Sequence, residues 1–342
     1  MKRSRRDMAI PALLLTASAV CVFALLYRPP VFVSGTLTVN SIRFETLPPV
    51  HSRGVFASDN RLDLSIADFA TIRSVAPASP VVIESGADQS LLRLTRARLE
   101  SLEVVHPVSV WLSIADDSLR MLVRRRRGIA DPFCRVRVYA NSGWQCGGCR
   151  DAPPGKKTPL PIGGESVIYD VYPRDSSLQL AILLDQAKPL PPETGIPVAG
   201  GSNLTFLNKE RSSIVEGALT LGSAPPLKLE RGDWVEVFDL QNAEINRMEA
   251  FAGPLSRIAV VFAGRAGSTR YGKTSGTLSD LNPTLLETFS GNGSAKAFEF
   301  ACKWIGSISG VFGLLTSLKF ARRARIQKKG KQHATKTKAH AG

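Results

Sequence analysis

A run of about twenty apolar residues close to the N-terminus, residues 8–27, constrains this chain more than any other feature. Its length matches the hydrocarbon core of a bilayer at the ~1.5 Å rise per residue of an α-helix. Four basic residues precede it, and basic flanks stay on the cytoplasmic side of a membrane: Lys2, Arg3, Arg5 and Arg6. The segment predicts a transmembrane helix in the plasma (inner) membrane, with a cytoplasmic N-terminus over residues 1–7 and the chain exported from residue 28.

A cleaved secretory signal is the alternative for this segment. Such a signal has a shorter apolar region followed by small residues in an Ala-x-Ala arrangement. Here the apolar run continues through Leu26 and Tyr27 into Arg28-Pro29-Pro30, and Cys21 follows Val20 rather than the small residues of a lipoprotein signal. The sequence therefore favours an uncleaved anchor.

A second apolar helix is predicted over residues 304–320. Its large residues recur at helical spacing, and Gly306 with Gly310 forms the small-xxx-small pattern through which membrane helices pack. The partner is either the first anchor, at Ala12, Thr16 and Ala17, or another copy of the chain. The run is only about fifteen residues long, so an interfacial helix and a buried core helix are the alternatives to a full span.

The positive charge is concentrated at the two ends of the chain. The formal net charge is +15, of which residues 1–7 carry +3, residues 319–342 carry +9, and the rest only +3. A basic flank after the second helix predicts a cytoplasmic tail over residues 321–342. Anionic membrane lipid attracts such tails as well as nucleic acid does, so the expected partner is the membrane and not a nucleic acid.

Strand signals dominate between the two helices. Alternating or short apolar runs bounded by turn residues predict strands at 37–39, 62–66, 108–114, 136–139, 167–169, 178–184, 219–221, 234–237 and 258–262, with a hairpin turning at 115–118. One helix is predicted to start near Asp280 or Asn282, with Pro283 in its first turn. Because long crossovers are scarce, the pattern predicts an all-β extracytoplasmic body: a sandwich, a jelly roll or a short β-solenoid.

A Pro-rich linker at residues 151–164 is the best division of this body. It separates a β-rich domain over 31–150 from residues 165–297, which form either a second β-rich domain or a continuation of the first. A further Pro-rich segment, 189–197, is either a second break in the body or a long loop inside one domain.

Arginines cluster in the middle of the nearly neutral body. They are Arg120, Arg124, Arg125, Arg126 and Arg127, joined by Arg135 and Arg137. A run of arginines is usually a solvated edge; outside the cytoplasm, its functional interpretation is contact with an anionic glycan, a lipid headgroup or an envelope protein.

Three cysteines lie in the body, and a structural disulfide is the favoured interpretation. If Asn141-Ser142 is the tip of a hairpin, Cys134 faces Cys149, and oxidising conditions permit that pair. Cys146 and Cys149 have the Cys-x-x-Cys spacing of thiol redox sites, but no helix follows to stabilise a thiolate. Zinc would need a fourth ligand from His51 or His106, so no metal site is predicted.

The segment 267–274 matches the phosphate-loop pattern Gly-x-x-x-x-Gly-Lys-Thr at Gly267, Gly272, Lys273 and Thr274. A phosphate loop needs a helix beginning at the Lys-Thr step, and Gly276 and Pro283 interrupt one here. The match is therefore interpreted as coincidence in a hairpin loop.

No catalytic motif, catalytic residue or cofactor is predicted, and Asp116-Asp117 is expected to form a solvent-facing turn. The function expected from the sequence is that of a membrane-anchored scaffold or binding module, whose partners are membrane lipid and either an envelope protein or another copy of the chain. The alternative is an enzyme, either a nucleotide-binding protein using the 267–274 loop or a thiol redox protein using Cys146 and Cys149.

Overall fold

The computed structural model describes most of the chain between residues 26 and 284. The described ranges are 26–47, 50–52, 62–75, 82–86, 91–115, 117–126, 132–140, 144–147, 167–174, 176–184, 194–253 and 256–284, with the helical residues Thr16, Ala19, Val20, Val22 and Phe23. Strands account for 71% of the described residues, so the body is all-β.

Twenty-two strands are described. The first thirteen are β1 (Val31–Val39), β2 (Ser41–Thr46), β3 (Val50–Ser52), β4 (Leu62–Ala67), β5 (Phe69–Ser74), β6 (Val82–Glu84), β7 (Leu91–Val104), β8 (Val108–Ala115), β9 (Ser118–Arg125), β10 (Cys134–Ala140), β11 (Trp144–Gly147), β12 (Val167–Pro173) and β13 (Ser177–Leu183). The others are β14 (Ile196–Val198), β15 (Ser202–Thr205), β16 (Leu207–Asn208), β17 (Arg211–Ser212), β18 (Ile214–Leu221), β19 (Leu227–Leu229), β20 (Trp234–Phe251), β21 (Arg257–Gly272) and β22 (Ser279–Asp280). Each run predicted as a strand lies in or overlaps one of these elements, so those predictions are confirmed.

One antiparallel ladder joins all of these strands except the small hairpin β16–β17. From one edge the order is β19-β18-β1-β21-β20; short β14 and β15 then link β20 to β2. From β2 the order continues β8-β9-β13-β4-β7-β10-β12-β5-β6. Every described pairing is antiparallel, which favours a sandwich or jelly roll over a β-solenoid built from parallel coils.

The chain turns a corner between β4 and β5. β4 pairs with β7 and β13, whereas β5, which follows it, pairs with β12 and β6. Asp68, at φ 62°, lies between the two strands, and its carbonyl accepts a hydrogen bond from the Arg174 amide at 2.7 Å. The chain at Asp68 therefore connects the two ends of the hydrogen-bonded path β4-β7-β10-β12-β5.

The core is lined by alternate residues of each strand. In β8 and β13 the apolar residues are buried and their neighbours face outward, as a half-buried strand requires. Phe69, Phe133, Phe206 and Phe262 are among the largest fully buried side chains. The Phe262 ring lies directly over Gly35 on the neighbouring strand, where any β-carbon would collide with it.

Strands from both sides of the predicted linker pair with one another. β1 lies between β18 and β21, while β13 lies between β9 and β4. Residues Pro30–Asn282 form one compact unit. The pairing favours the continuation alternative for residues 165–297; the linker itself lies outside the described residues, and its boundaries stay predictions.

The predicted helices lie largely outside the described residues. The second membrane helix and its pair Gly306 and Gly310 are wholly outside. Of residues 8–27, the described ones are helical up to Leu26, and the Tyr27 amide bonds to the Phe23 carbonyl at 2.7 Å. Within the described ranges, no helix is both long and apolar enough to cross a membrane. The helix predicted from Asp280 or Asn282 is absent as far as residue 284, because Asp280 ends β22.

The predicted hairpin at 115–118 is confirmed, since Ala115 pairs with Ser118 across a two-residue turn. Asp117 has a φ of 58°, which aspartate tolerates in such turns. Its expected solvent-facing role is wrong. Its Oδ1 accepts hydrogen bonds from the Gly253 amide at 3.0 Å and the Ser256 hydroxyl at 2.6 Å, so it ties the β8–β9 turn to the β20–β21 turn.

We predict that Asp117→Ala lowers the free energy of unfolding by about 1–3 kcal/mol, because it leaves the Gly253 amide without this acceptor and weakens the positive-φ turn. Asp117→Asn keeps an acceptor oxygen and tolerates the same φ, so it is expected to lose clearly less. Urea denaturation measures both variants. Equal stability of Asp117→Ala and the wild type would contradict this role.

Candidate functional site

The outer face of strands β8, β9, β13, β4 and β7 carries two aligned rows of side chains. Antiparallel pairing places residues directly opposite one another, so the rows run across the strands. The first row is Trp111, Leu122, Gln179, Ala67 and Leu91. The second row is Ser113, Arg120, Ala181, Ser65 and Arg93. The first row is mainly apolar, and the second combines hydroxyls with arginines.

The hairpin β16–β17 turns these rows into a groove. The hairpin turn begins at Lys209, which has a φ of 57°. Both Asn208 and Lys209 line the groove. The groove has a volume of about 540 Å³, within the range of small-molecule sites. Its lining is Ser65, Ala67, Leu91, Trp111, Ser113, Ile114, Ala115, Ser118, Arg120, Met121, Leu122, Gln179, Leu180, Ala181, Asn208 and Lys209.

A hydrogen-bond node at Ser41 holds the Trp111 indole in place. The Ser41 hydroxyl accepts a hydrogen bond from Trp111 Nε1 at 2.6 Å and donates to the Leu112 carbonyl at 3.0 Å. The Ser41 carbonyl in turn accepts from the Ser213 hydroxyl at 2.6 Å, next to β17. The same buried serine therefore positions the groove floor and the base of the overhanging hairpin.

The groove is electropositive. Arg120 and Lys209 are exposed, and neither forms an ion pair with any residue that the structure describes. No acidic side chain is among the lining residues. Glu210 shares the hairpin turn, and Asp68 at the rim accepts a hydrogen bond from Gln179 Nε2 at 2.8 Å. The charge and exposure suit an anionic ligand.

The predicted arginine cluster divides into two groups, and only one of them lies on the face that contains the groove. Arg120 lines the groove, and exposed Arg124 lies on the same face two outward positions along β9. Arg126 lies 3.8 Å from Glu45, Arg125 has partners of its own, and Arg127 lies outside the described residues. The part of the predicted arginine surface that can contact a ligand therefore lies on β9, with Arg120 in the groove.

Arg135 and Arg137 are committed to internal ion pairs. Arg135 bonds to Glu103 and lies 3.6 Å from Asp170, whereas Arg137 Nε donates to Asp170 at 2.8 Å. Burial lowers the pKa of Arg135, but its bonds to Glu103 and Tyr172 and the charge of Asp170 outweigh burial and raise the pKa overall. These two arginines link β7, β10 and β12 through ion pairs. Because their charges are used within the sheet, they are not assigned to a ligand.

The hairpin predicted at Asn141-Ser142 is wrong. β10 and β11 both pair with β7 in the same direction, with Cys134 opposite Val104 and Cys146 opposite Leu92. They follow one another along one edge instead of folding back. Cys134 is a buried free thiol whose pKa is raised by burial. Cys149 lies outside the described residues, so its pairing stays a prediction that has lost its geometric basis.

The predicted phosphate-loop segment is an extended strand. Residues up to Gly272 belong to β21 and pair with β20, and a three-residue 3-10 helix, Ser275–Thr277, follows. No backbone wraps around a phosphate position, so this geometry does not support the nucleotide alternative. The Lys273 ammonium lies 2.8 Å from Asp233 Oδ1 and 3.7 Å from Glu230.

Asp233 makes the Lys273 contact part of a structural turn. Its Oδ2 accepts hydrogen bonds from the Glu230 amide at 3.0 Å and the Tyr271 hydroxyl at 3.2 Å. Its carbonyl accepts from the Ser212 hydroxyl at 2.5 Å, which supports the β16–β17 hairpin over the groove. The bond to Asp233 raises the pKa of Lys273. Lys273 thus supports the groove indirectly.

Metal binding finds no geometric basis in the described part of the chain, where no three His, Cys, Asp or Glu residues come together. Among known proteins, no family model matches the chain, and no curated protein matches it significantly. The candidate site therefore rests on its own geometry.

Sequence reasoning found Arg120 but missed its neighbours in the groove. The alternation of 108–114 already placed Trp111 on the outer face, which was an available signal. Gln179, Ala181 and Lys209 are far from Arg120 in sequence. Only the pairing of β13 with β9, and the fold of the β16–β17 hairpin, bring them to it.

We predict that Asp233→Asn destabilises the protein by about 1–2 kcal/mol at pH 7, since a neutral amide replaces the buried carboxylate that pairs with Lys273. Burial raises the Asp233 pKa, but the bonds from Lys273, the Glu230 amide and Tyr271 outweigh burial and lower it below its usual 3.8. This stabilisation is therefore full above about pH 4 and fades as the pH falls through the lowered value.

Urea denaturation between pH 7 and pH 2 tests this, with exposed Glu216→Gln as the matched control. The difference between wild type and Asp233→Asn is expected to shrink on acidification. A difference that stays constant down to pH 2 would contradict the ion-pair explanation.

Proposed function

We propose that this protein is a membrane-anchored envelope protein whose β-rich extracytoplasmic body, a sandwich or jelly roll, binds an anionic ligand in the outer groove. The observation that carries the proposal is the presence, at a preformed groove of about 540 Å³, of two cations, Arg120 and Lys209, that form no ion pair with any described residue. The ligand's anionic group belongs to an envelope lipid, glycan or partner protein.

The membrane part of the proposal rests on residues 8–27. The described helical residues there are exposed, and all of them except Thr16 are apolar; Leu26 is 74% exposed and Phe23 55%. Leaving such a helix in water is unfavourable, whereas a bilayer of about 30 Å covers a helix of about twenty apolar residues. The basic segments at both ends support a cytoplasmic location for both termini, and in this topology residues 304–320 form the second membrane helix.

A cysteine-labelling experiment tests this topology. In the full chain with Cys21, Cys146, Cys149 and Cys302 changed to serine, Lys228→Cys places a thiol on exposed β19. We predict that a membrane-impermeant maleimide labels it in intact cells. Cys134 is buried and is expected to react only after unfolding, so it reports the folded state. Labelling that requires membrane rupture would reject the extracytoplasmic location.

The binding part of the proposal depends on charge. In neutral phosphatidylcholine nanodiscs, the full chain is expected to bind octyl phosphate more tightly than uncharged octyl glucoside, with empty discs as the blank. Arg120→Ala is predicted to weaken octyl phosphate binding about fivefold, the change that corresponds to about 1 kcal/mol for a partly exposed ion pair. Equilibrium dialysis measures both affinities.

Arg265→Ala is the matched control, because Arg265 is an exposed strand arginine on β21 that does not line the groove. It should leave the affinity unchanged. Equal binding of the phosphate and the glucoside, or equal effects of the two arginine variants, would reject the groove as an anion site.

A further inference from the structure

We infer that the ligand of the groove is an anionic amphiphile: an alkyl or acyl chain lies along the Trp111 row, and its phosphate or carboxylate headgroup bonds to Arg120 and Lys209. This inference rests on the proposed function and names the ligand class for the same site. It is carried by how the two rows of the groove divide between apolar and polar groups.

The first row offers hydrocarbon and almost no hydrogen-bond donors. The Trp111 indole N–H is already bonded to Ser41 at 2.6 Å, so the indole presents only its apolar surface. Leu122, Ala67 and Leu91 have no polar side-chain atoms, and the Gln179 amide nitrogen is bonded to Asp68. In this row a glycan hydroxyl would find only the Gln179 amide as a side-chain partner, whereas an alkyl chain needs no hydrogen-bond partner.

The second row supplies the complementary polar groups. Ser113 and Ser65 flank Arg120 and Ala181 across the strands, and exposed Arg93 ends the row. Outward residues two apart on a strand are separated by about 6.6 Å, so the polar row runs beside the apolar row at that spacing. A headgroup in one row and a chain in the other can therefore be held at the same time.

The dimensions suit a single chain. The apolar row crosses five strands, and at about 4.8 Å between neighbouring strands it is roughly 19 Å long. Asn208 and Lys209 of the β16–β17 hairpin line the groove together with the strands. A chain that enters the groove is thus partly removed from water.

Chain length at a constant headgroup tests the inference. The full chain in neutral nanodiscs is titrated with butyl phosphate and octyl phosphate, with empty discs subtracted. Affinity is expected to rise by up to about fourfold for each added methylene that is buried, the fold-change equivalent to about 0.8 kcal/mol. Equal affinities for butyl and octyl phosphate, with binding still weakened about fivefold in Arg120→Ala, would overturn the amphiphile but leave the proposed anion site standing.

Filling the groove provides the matching variant. Ala181→Phe places a ring between Arg120 and Ser65 and is expected to weaken octyl phosphate binding at least tenfold, by filling the space in the second row where the headgroup binds beside Arg120. Ala259→Phe, on the outward side of β21, is the control and should bind normally. Leu122→Ser keeps the volume open but makes the floor polar, and it should reduce the dependence on chain length. Normal binding by Ala181→Phe with an unreactive Cys134 would overturn the assignment.

Two sources supply such an amphiphile, the bilayer and the surrounding solution. Repeating the titration in discs that contain phosphatidylglycerol separates them. Competition by these discs supports the inference with a bilayer lipid as the ligand. Undiminished octyl phosphate binding supports it with a soluble amphiphile.

Discussion

Residues of β8, β9 and β13 alternate strictly between the core and the outer face, and the rest of the structure depends on burying that one face of the ladder. Because side chains repeat every two residues along a strand, a slip of one residue would bring Arg120 into the core and expose Met121. The register is therefore set by the hydrophobic pattern. Once the register is set, it also fixes which outward residues of neighbouring strands lie opposite one another, so these residues form rows.

Electrostatic context, rather than residue type, separates the arginines of this body. Arg135 and Arg137 lie on strands that neighbour Glu103 and Asp170, so their charges are neutralised within the sheet. Arg120 lies on a strand whose outward neighbours are Ser113 and Ala181, neither of which can neutralise it. Within the described part of the chain, the same guanidinium group is thus a member of ion pairs in one place and a cation without an ion-pair partner in the other.

Support for the groove comes from two distant parts of the chain. Ser41 fixes the Trp111 ring and, through Ser213, the base of the β16–β17 hairpin. Asp233, held by Lys273, fixes the hairpin from its other side through Ser212. The Trp111 side of the groove and the β16–β17 hairpin are both hydrogen-bonded to the rest of the body. The groove is therefore preorganised, which limits the conformational entropy lost when a ligand binds.

By itself, the sequence determined strands whose apolar residues alternate, such as β8 and β13, because period-two alternation is a local property of the chain. It also predicted the β8–β9 hairpin from its two aspartates. It did not determine the long strand β7, the course of β10 and β11 along it, the strand conformation of Gly267–Gly272, or the position of Lys209 at the groove that Arg120 lines. Those outcomes depend on pairing between residues far apart in sequence, and only the tertiary structure decides such non-local contacts.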